Sequence, residues 1–134
     1  EAEAKEIRDF YFRLFPEAKD LMQLAMKTAR ERGYVRTLLG RRARFPQAWK
    51  MYAALSRAVS GGAADLNKLK MVSIYRRRKE LGLRLRMTIH DELVVDVMKE
   101  AVPAWAEAMD VQEFPLKVPI RWDTKTAGNL AGCK

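Results

Sequence analysis

LRLRMTIHDELVVDV, residues 83–97, is the stretch whose pattern decides the fold. Leu83, Leu85, Met87 and Ile89 alternate with Arg84, Arg86, Thr88 and His90, the period-two pattern of a half-buried strand. His90-Asp91-Glu92 interrupts the alternation, and Leu93-Val94-Val95-Asp96-Val97 resumes it. A β-hairpin with three polar residues at its tip is expected. On its N-terminal side, residues 63–81 read as a helix ending in Arg76, Arg77, Arg78 and Lys79, which suit the negative end of the helix dipole, with Gly82 as the stop. A solvated helix end is a plainer explanation of that basic run than a phosphate site.

Working outward, Gly61-Gly62 is expected to separate this helix from a short helical stretch over residues 47–59. The pair could cradle a phosphate at a helix N-terminus, or simply mark a tight entry to the helix. Residues 34–45 read as a second hairpin turning at Leu39-Gly40. Ahead of it, Ile7, Phe10, Tyr11, Leu14 and Phe15 fall at helical spacing, and Pro16 predicts a break at Phe15. A second amphipathic helix carries Ala18, Leu21, Met22, Ala25, Met26 and Ala29 on one face, capped at Gly33. Beyond the 83–97 hairpin, a short helix over 101–109 and a last strand over 118–122 complete the reading. Helices and strands that do not strictly alternate give an α+β class with an antiparallel sheet. The 134 residues suit a single domain over 1–134, with helices over 1–32, a hairpin over 33–46, helices over 47–82, the 83–97 hairpin, and a helix and strand over 98–134.

Twenty-six Lys and Arg against seventeen Asp and Glu give a net charge of +9. Such an excess favours a polyanionic partner through counterion release, with a solvated basic surface as the alternative. No apolar run approaches the roughly 20 residues of a membrane span, and no signal-peptide pattern opens the chain. The single cysteine, Cys133, can form neither an internal disulfide nor a cysteine-based zinc site, so an intracellular address is expected. The first residue is Glu1 and not Met, inside what reads as a helix, which suggests a fragment, a processed product or a trimmed chain.

The chemistry on offer is sparse. A carboxylate pair at a hairpin tip can hold a hard cation, because rigid strands fix it and magnesium uses only one or two protein carboxylates. Polar residues also belong in turns for their own sake. A lone histidine is as readily a structural residue as a general base. There is no second histidine for a zinc pair, and no phosphate-binding G-x-x-x-x-G-K-[ST].

Taken in order, five segments resemble the last part of family A (DNA polymerase I-like) DNA polymerases. EIRDFYFRLFP, residues 6–16, is similar to the run after the fingers helix, and GYVRTLLGRRARFP, residues 33–46, to the hairpin between fingers and palm. SGGAADLNKLKM, residues 60–71, is similar to the Q-G-T-A-A-D-x-x-K-x-A-M helix. MTIHDELVVDV, residues 87–97, resembles motif C, and VPIRWDTKTAGNL, residues 118–130, the closing segment. The resemblance implies a fragment of a right-hand polymerase fold with a palm-type sheet and packed helices. It implies that Asp91 ligates the catalytic Mg2+, that Glu92 is the supporting acidic residue, and that His90 touches the terminal nucleotide of the primer. Arg41 and Arg42 match the G-R-R arginines, near the DNA backbone or in a structural ion pair. Lys68 and Asp65 match helix positions with packing or salt-bridge roles.

Departures from the family pattern cluster where it reads the DNA minor groove. Ser60 stands where a glutamine is usual, Ser56 in place of an asparagine, and Tyr52 in place of an arginine. Thr88 replaces a glutamine, Leu130 a tryptophan, and the stretch between Pro46 and Ser60 is shortened. Each change from glutamine to a short hydroxyl removes a groove-spanning hydrogen bond worth roughly 0.5–1.5 kcal/mol net. These departures suit a divergent, phage-encoded member working in a bacterial or infected-host cytoplasm.

Two family elements are not found: the motif A D-Y-S-x-I-E-L-R and the fingers R-x-x-x-K-x-x-x-F/Y-G, both expected to precede residue 1. The two-metal clamp of phosphoryl transfer needs a second carboxylate, and the triphosphate needs cationic ligands. The expectation is therefore a polymerase part that is inactive alone. It would meet DNA primer–template and deoxynucleoside triphosphate in company with an upstream segment or subunit carrying motifs A and B. A non-catalytic DNA-binding or structural remnant is the alternative, and a stand-alone metal-dependent nuclease a third.

Overall fold

The computed structural model describes residues 2–133, and the backbone alone at residues 48 and 49. Glu1, the start of the expected first helix, lies outside the described residues. The single domain expected over 1–134 is described as two compact units, Glu1–Asp65 and Leu66–Lys134.

The first unit contains α1 (Ala2–Leu14), α2 (Pro16–Arg32), β1 (Tyr34–Arg36), β2 (Arg42–Arg44), a 3-10 segment (Ala48–Ala53) and the first half of α3 (Ala54–Arg77). The break between α1 and α2 falls at Phe15, with φ −130° and ψ 71°, because the residue before a proline is pushed out of helical geometry. Pro16 then opens α2, where its missing N–H costs nothing. Gly33 ends α2 at φ 73°, its N–H bonded to the Ala29 carbonyl at 2.9 Å. Its own carbonyl accepts from Phe45 N–H at 2.8 Å, so the cap of the helix is also the base of the β1–β2 hairpin. Ala29, Val35, Phe45 and Ala54 form a small core, with Ala25, Met26, Ala43, Met51 and Ala58 against it. No residue of α1 is buried.

α3 runs without interruption through Gly61-Gly62, which corrects the expected break. A Cβ on Gly61 would stand 2.7 Å from Thr37 Cγ2, and one on Gly62 would stand 3.4 Å from Leu38 Cβ. The glycines let the β1–β2 turn lie against the helix, at a helix-propensity cost of about 1 kcal/mol each. Lying in mid-helix, they frame no helix N-terminus, so the phosphate cradle is ruled out.

The second unit holds the rest of α3, β3 (Leu83–Ile89), β4 (Glu92–Val97) and α4 (Val102–Asp110). Its core is Ile74, Leu81, Leu83, Trp105, Ala108 and Met109, with Leu85, Leu93, Val95, Val97 and Trp122 packed on it. α3 stops at Arg77, earlier than expected, and the chain turns to Gly82 at φ 59°. Arg77 is thus at the helix end and bonds Glu80 at 3.0 Å, which holds that carboxyl below the usual glutamate range. The strand expected over residues 118–122 does not form. There the Gln112 side chain takes the place of a neighbouring strand. Its Nε2 donates to the Ile120 carbonyl at 2.7 Å, and its Oε1 accepts from Ile120 N–H at 3.3 Å.

Candidate catalytic tip and nucleic-acid interface

β3 and β4 pair antiparallel, from Leu83 opposite Val97 to Ile89 opposite Glu92, with a bulge between Leu85 and Met87 that leaves Arg86 unmatched. One extra residue moves the remainder of β3 to the other face of the ladder. Leu85 therefore shares a face with Val95, whereas Met87 pairs with Val94 and Thr88 with Leu93. The expected common apolar face of Leu83, Leu85, Met87 and Ile89 is corrected: Met87 and Ile89 are 50% and 38% exposed. Arg86 reaches across to Asp96 at 2.6 Å, holding the bulge.

Because Ile89 pairs with Glu92, the loop contains two residues, His90 and Asp91, and Glu92 belongs to β4. This corrects the three-residue tip. Two-residue hairpins favour positive φ in the loop, and His90 takes φ 53°, alone among the described non-glycine residues. His90, Asp91 and Glu92 are exposed, and among the described residues their side chains make no hydrogen bond or ion pair. One contact reaches the tip from α3: Asn67 Nδ2 donates to the His90 carbonyl at 3.3 Å. Asn67 is buried, and its Oδ1 has no partner among the described residues, a cost of roughly 1–3 kcal/mol.

Three residues further along α3, Lys70 is 2% exposed. Its Nζ donates to the carbonyls of Val111 at 2.5 Å and Ala108 at 3.4 Å, and pairs with Glu113 at 2.8 Å. The ammonium thus satisfies carbonyls at the C-terminus of α4, where the helix dipole favours a cation. Lys68, expected to pack or pair, is exposed and makes no ion pair among the described residues. Lys70 had a visible signal, since it stands where the K-x-A-M pattern has alanine. Asn67 had none.

In the first unit, Asp65 is buried beneath the β1–β2 turn. It accepts from Thr37 Oγ1 at 2.6 Å and from Arg41 Nε at 2.6 Å, while Arg41 Nη2 donates to the Gly61 carbonyl at 3.1 Å. Arg41 is thereby engaged within the protein, although half its side chain remains exposed. Arg42 lies over the Tyr34 ring, 4.9 Å from its centroid, with its charge exposed. Tyr52, Ser56 and Ser60 are all exposed, and four-residue spacing sets the two serines on one face of α3. Arg57, which the sequence reading passed over, bonds the Arg44 carbonyl at 2.9 Å and lies over Phe45. Residues 32–64 contain Arg32, Arg36, Arg41, Arg42, Arg44, Lys50 and Arg57 and no acidic residue, a net +7.

Asp91 fits a hard-cation site in part. It is an exposed, uncommitted carboxylate on a rigid ladder, but among the described residues no three His, Cys, Asp or Glu side chains converge on one point. No helix among the described residues is long and apolar enough to cross a membrane.

The sequence model of DNA polymerase family A matches residues 1–131. The chain is similar to the thermostable DNA polymerase I of Thermus aquaticus, 37% identical over 130 residues, covering 88% of this chain and 16% of that protein. It is 31% identical to the DNA polymerase I of Rhizobium leguminosarum, covering 96% and 15% of the two chains. Among solved structures it is similar to the POL domain of Pol1 from M. smegmatis in complex with DNA primer-template and dNTP. The TM-score is 0.76 at 31% identity, over 88% of this chain and 23% of that one. The chain therefore spans about a sixth of the length of the curated relatives it matches.

Proposed function

The chain belongs to DNA polymerase family A and has the fold of part of a polymerase domain, and on that premise we propose that it is the C-terminal, motif C-bearing part of a DNA-directed DNA polymerase. The observation that carries the proposal is Asp91: an exposed carboxylate without a partner among the described residues, at the tip of a two-residue hairpin in the segment that resembles motif C. Asp91 supplies one ligand to Mg2+, and Glu92, first residue of β4, adds negative charge beside it. When bound, the metal neutralises charge developing on the transferring phosphoryl group. A second aspartate, from a motif A segment preceding these residues or from a partner subunit, completes the set. Exposed apolar side chains on α1 and α2 (Ile7, Phe10, Leu14 and Leu21 among them) support such a partner.

DNA primer–template is the partner of the basic surface, with the incoming deoxynucleoside triphosphate bound by the complete enzyme. His90 contacts the primer terminus, and Arg42, with the outer edge of Arg41, lies along the backbone. Tyr52, Ser56 and Ser60 face the duplex where longer polar side chains are usual, so groove reading is weakened. The short side chains at Ser56 and Ser60 favour a second reading, a non-catalytic DNA-binding remnant.

One experiment separates the two. The 134-residue chain alone is expected to add no nucleotides. Mixed with a polypeptide carrying motifs A and B, it should gain Mg2+-dependent primer extension that Asp91→Ala abolishes. Extension by the Asp91→Ala mixture equal to that of the parent would overturn the assignment. DNA binding without extension in any mixture would favour the remnant.

A further inference from the structure

We infer that Asn67 is a positioning residue for the catalytic tip: its side-chain amide holds the His90 carbonyl, and so fixes the direction in which Asp91 leaves the hairpin. The inference rests on the reading of Asp91 as the metal ligand. A carbonyl can only accept, so the Asn67 amide must present its NH2 to His90, which leaves Oδ1 without a hydrogen-bond partner among the described residues. An apolar residue of the same size would fill that buried position without stranding an acceptor. Asparagine has one advantage there, the donor aimed at the tip.

The tip has use for such a donor. His90 carries φ 53°, a conformation disfavoured for a residue with a Cβ and kept only where surroundings over-determine it. Among the described residues the side chains of His90, Asp91 and Glu92 have no hydrogen-bond or ion-pair partner, so beyond the ladder itself the Asn67 bond is the restraint on the turn that these residues supply from a packed helix. A ligand carboxylate must be held to within about half an ångström to be useful, and a free two-residue turn does not do that. The bulge at Arg86 adds to the need, because it interrupts the ladder between the core end of β3 and the tip.

Asn67→Leu and Asn67→Ala both remove the donor but differ in how they pack, so an effect common to both belongs to the amide. In the 134-residue chain, amide hydrogen exchange at Ile89 and Glu92, the pair that closes the turn, should quicken about tenfold in both variants, while the rest of β3 and β4 is unchanged. The melting temperature of Asn67→Leu should stay level or rise. In the mixture that extends primers, kcat should fall about tenfold with the KM for primer unchanged, and more Mg2+ should be needed for half-maximal rate. Unchanged exchange at the tip in both variants would overturn the inference. So would a loss of activity that tracks a falling melting temperature, since packing would explain both. Quickened exchange together with activity indifferent to Asp91→Ala would instead overturn the catalytic reading of the tip, leaving the anchor as a property of the turn.

Discussion

Two clusters of polar side chains in the second unit are built on opposite principles. At Lys70 a buried ammonium meets two carbonyls and a carboxylate, and little capacity is left over. At the β3–β4 tip, His90, Asp91 and Glu92 stand exposed, with no partner for any of their side chains among the described residues. Burying a charge is tolerable only when its partners are all supplied, so the first cluster can hold structure and cannot accept a ligand. The second adds nothing to packing and remains available. The Arg41–Asp65–Thr37 network in the first unit is of the saturated kind, and Arg42 and the two serines are of the open kind. A charged residue's partners thus separate roles that its identity does not.

The comparison breaks most readily at its two extremes. Asp91→Ala should lower primer extension on the order of a thousandfold in the assembled enzyme, with a melting temperature within about 2 °C of the parent. A large fall in stability would mean that the tip is structural after all. Lys70→Ala should do the reverse, costing about 3–5 kcal/mol in urea unfolding because Glu113 and the α4 carbonyls lose their cation together. Lys70→Met combined with Glu113→Leu should recover part of that loss by leaving no charge unpaired.

Smaller effects sharpen the same contrast in the first unit. Gly61→Ala should destabilise by about 1–3 kcal/mol, since the added methyl would press on Thr37 Cγ2 and Thr37 is tied to Asp65. Arg42→Ala should leave stability within about 0.5 kcal/mol and reduce the salt dependence of DNA binding by the equivalent of about one phosphate contact. Arg41→Ala is the informative companion: it should cost more stability than Arg42→Ala, because it strips Asp65 of a buried bond.

How much of this was legible beforehand followed the range of the forces involved. The helix break at Phe15-Pro16 and the cap at Gly33 come from sterics acting within a few residues and appear as expected, and the hairpin expected over residues 34–45 forms with shorter strands, Tyr34–Arg36 and Arg42–Arg44. The candidate tip was placed by periodicity and by resemblance to motif C. Its two-residue loop and the bulge at Arg86 were not visible, because a bulge leaves the alternation in the sequence intact while changing which face each residue takes. The strand expected at residues 118–122 was read from composition, yet its would-be ladder partner is the side chain of Gln112.

Local sequence by itself therefore determined the break between the first two helices, the cap at Gly33 and where the carboxylates of the hairpin would lie, since backbone sterics and apolar periodicity need no distant partner. Family membership was equally readable, as it rests on motif order. Only the tertiary structure decided that Gly61-Gly62 continues a helix, that Lys70 and not Lys68 is the paired lysine, that Met87 turns away from the core, and that Asn67 reaches the tip. Each of those depends on a group more than a dozen residues away, or on a register shift that no local preference encodes.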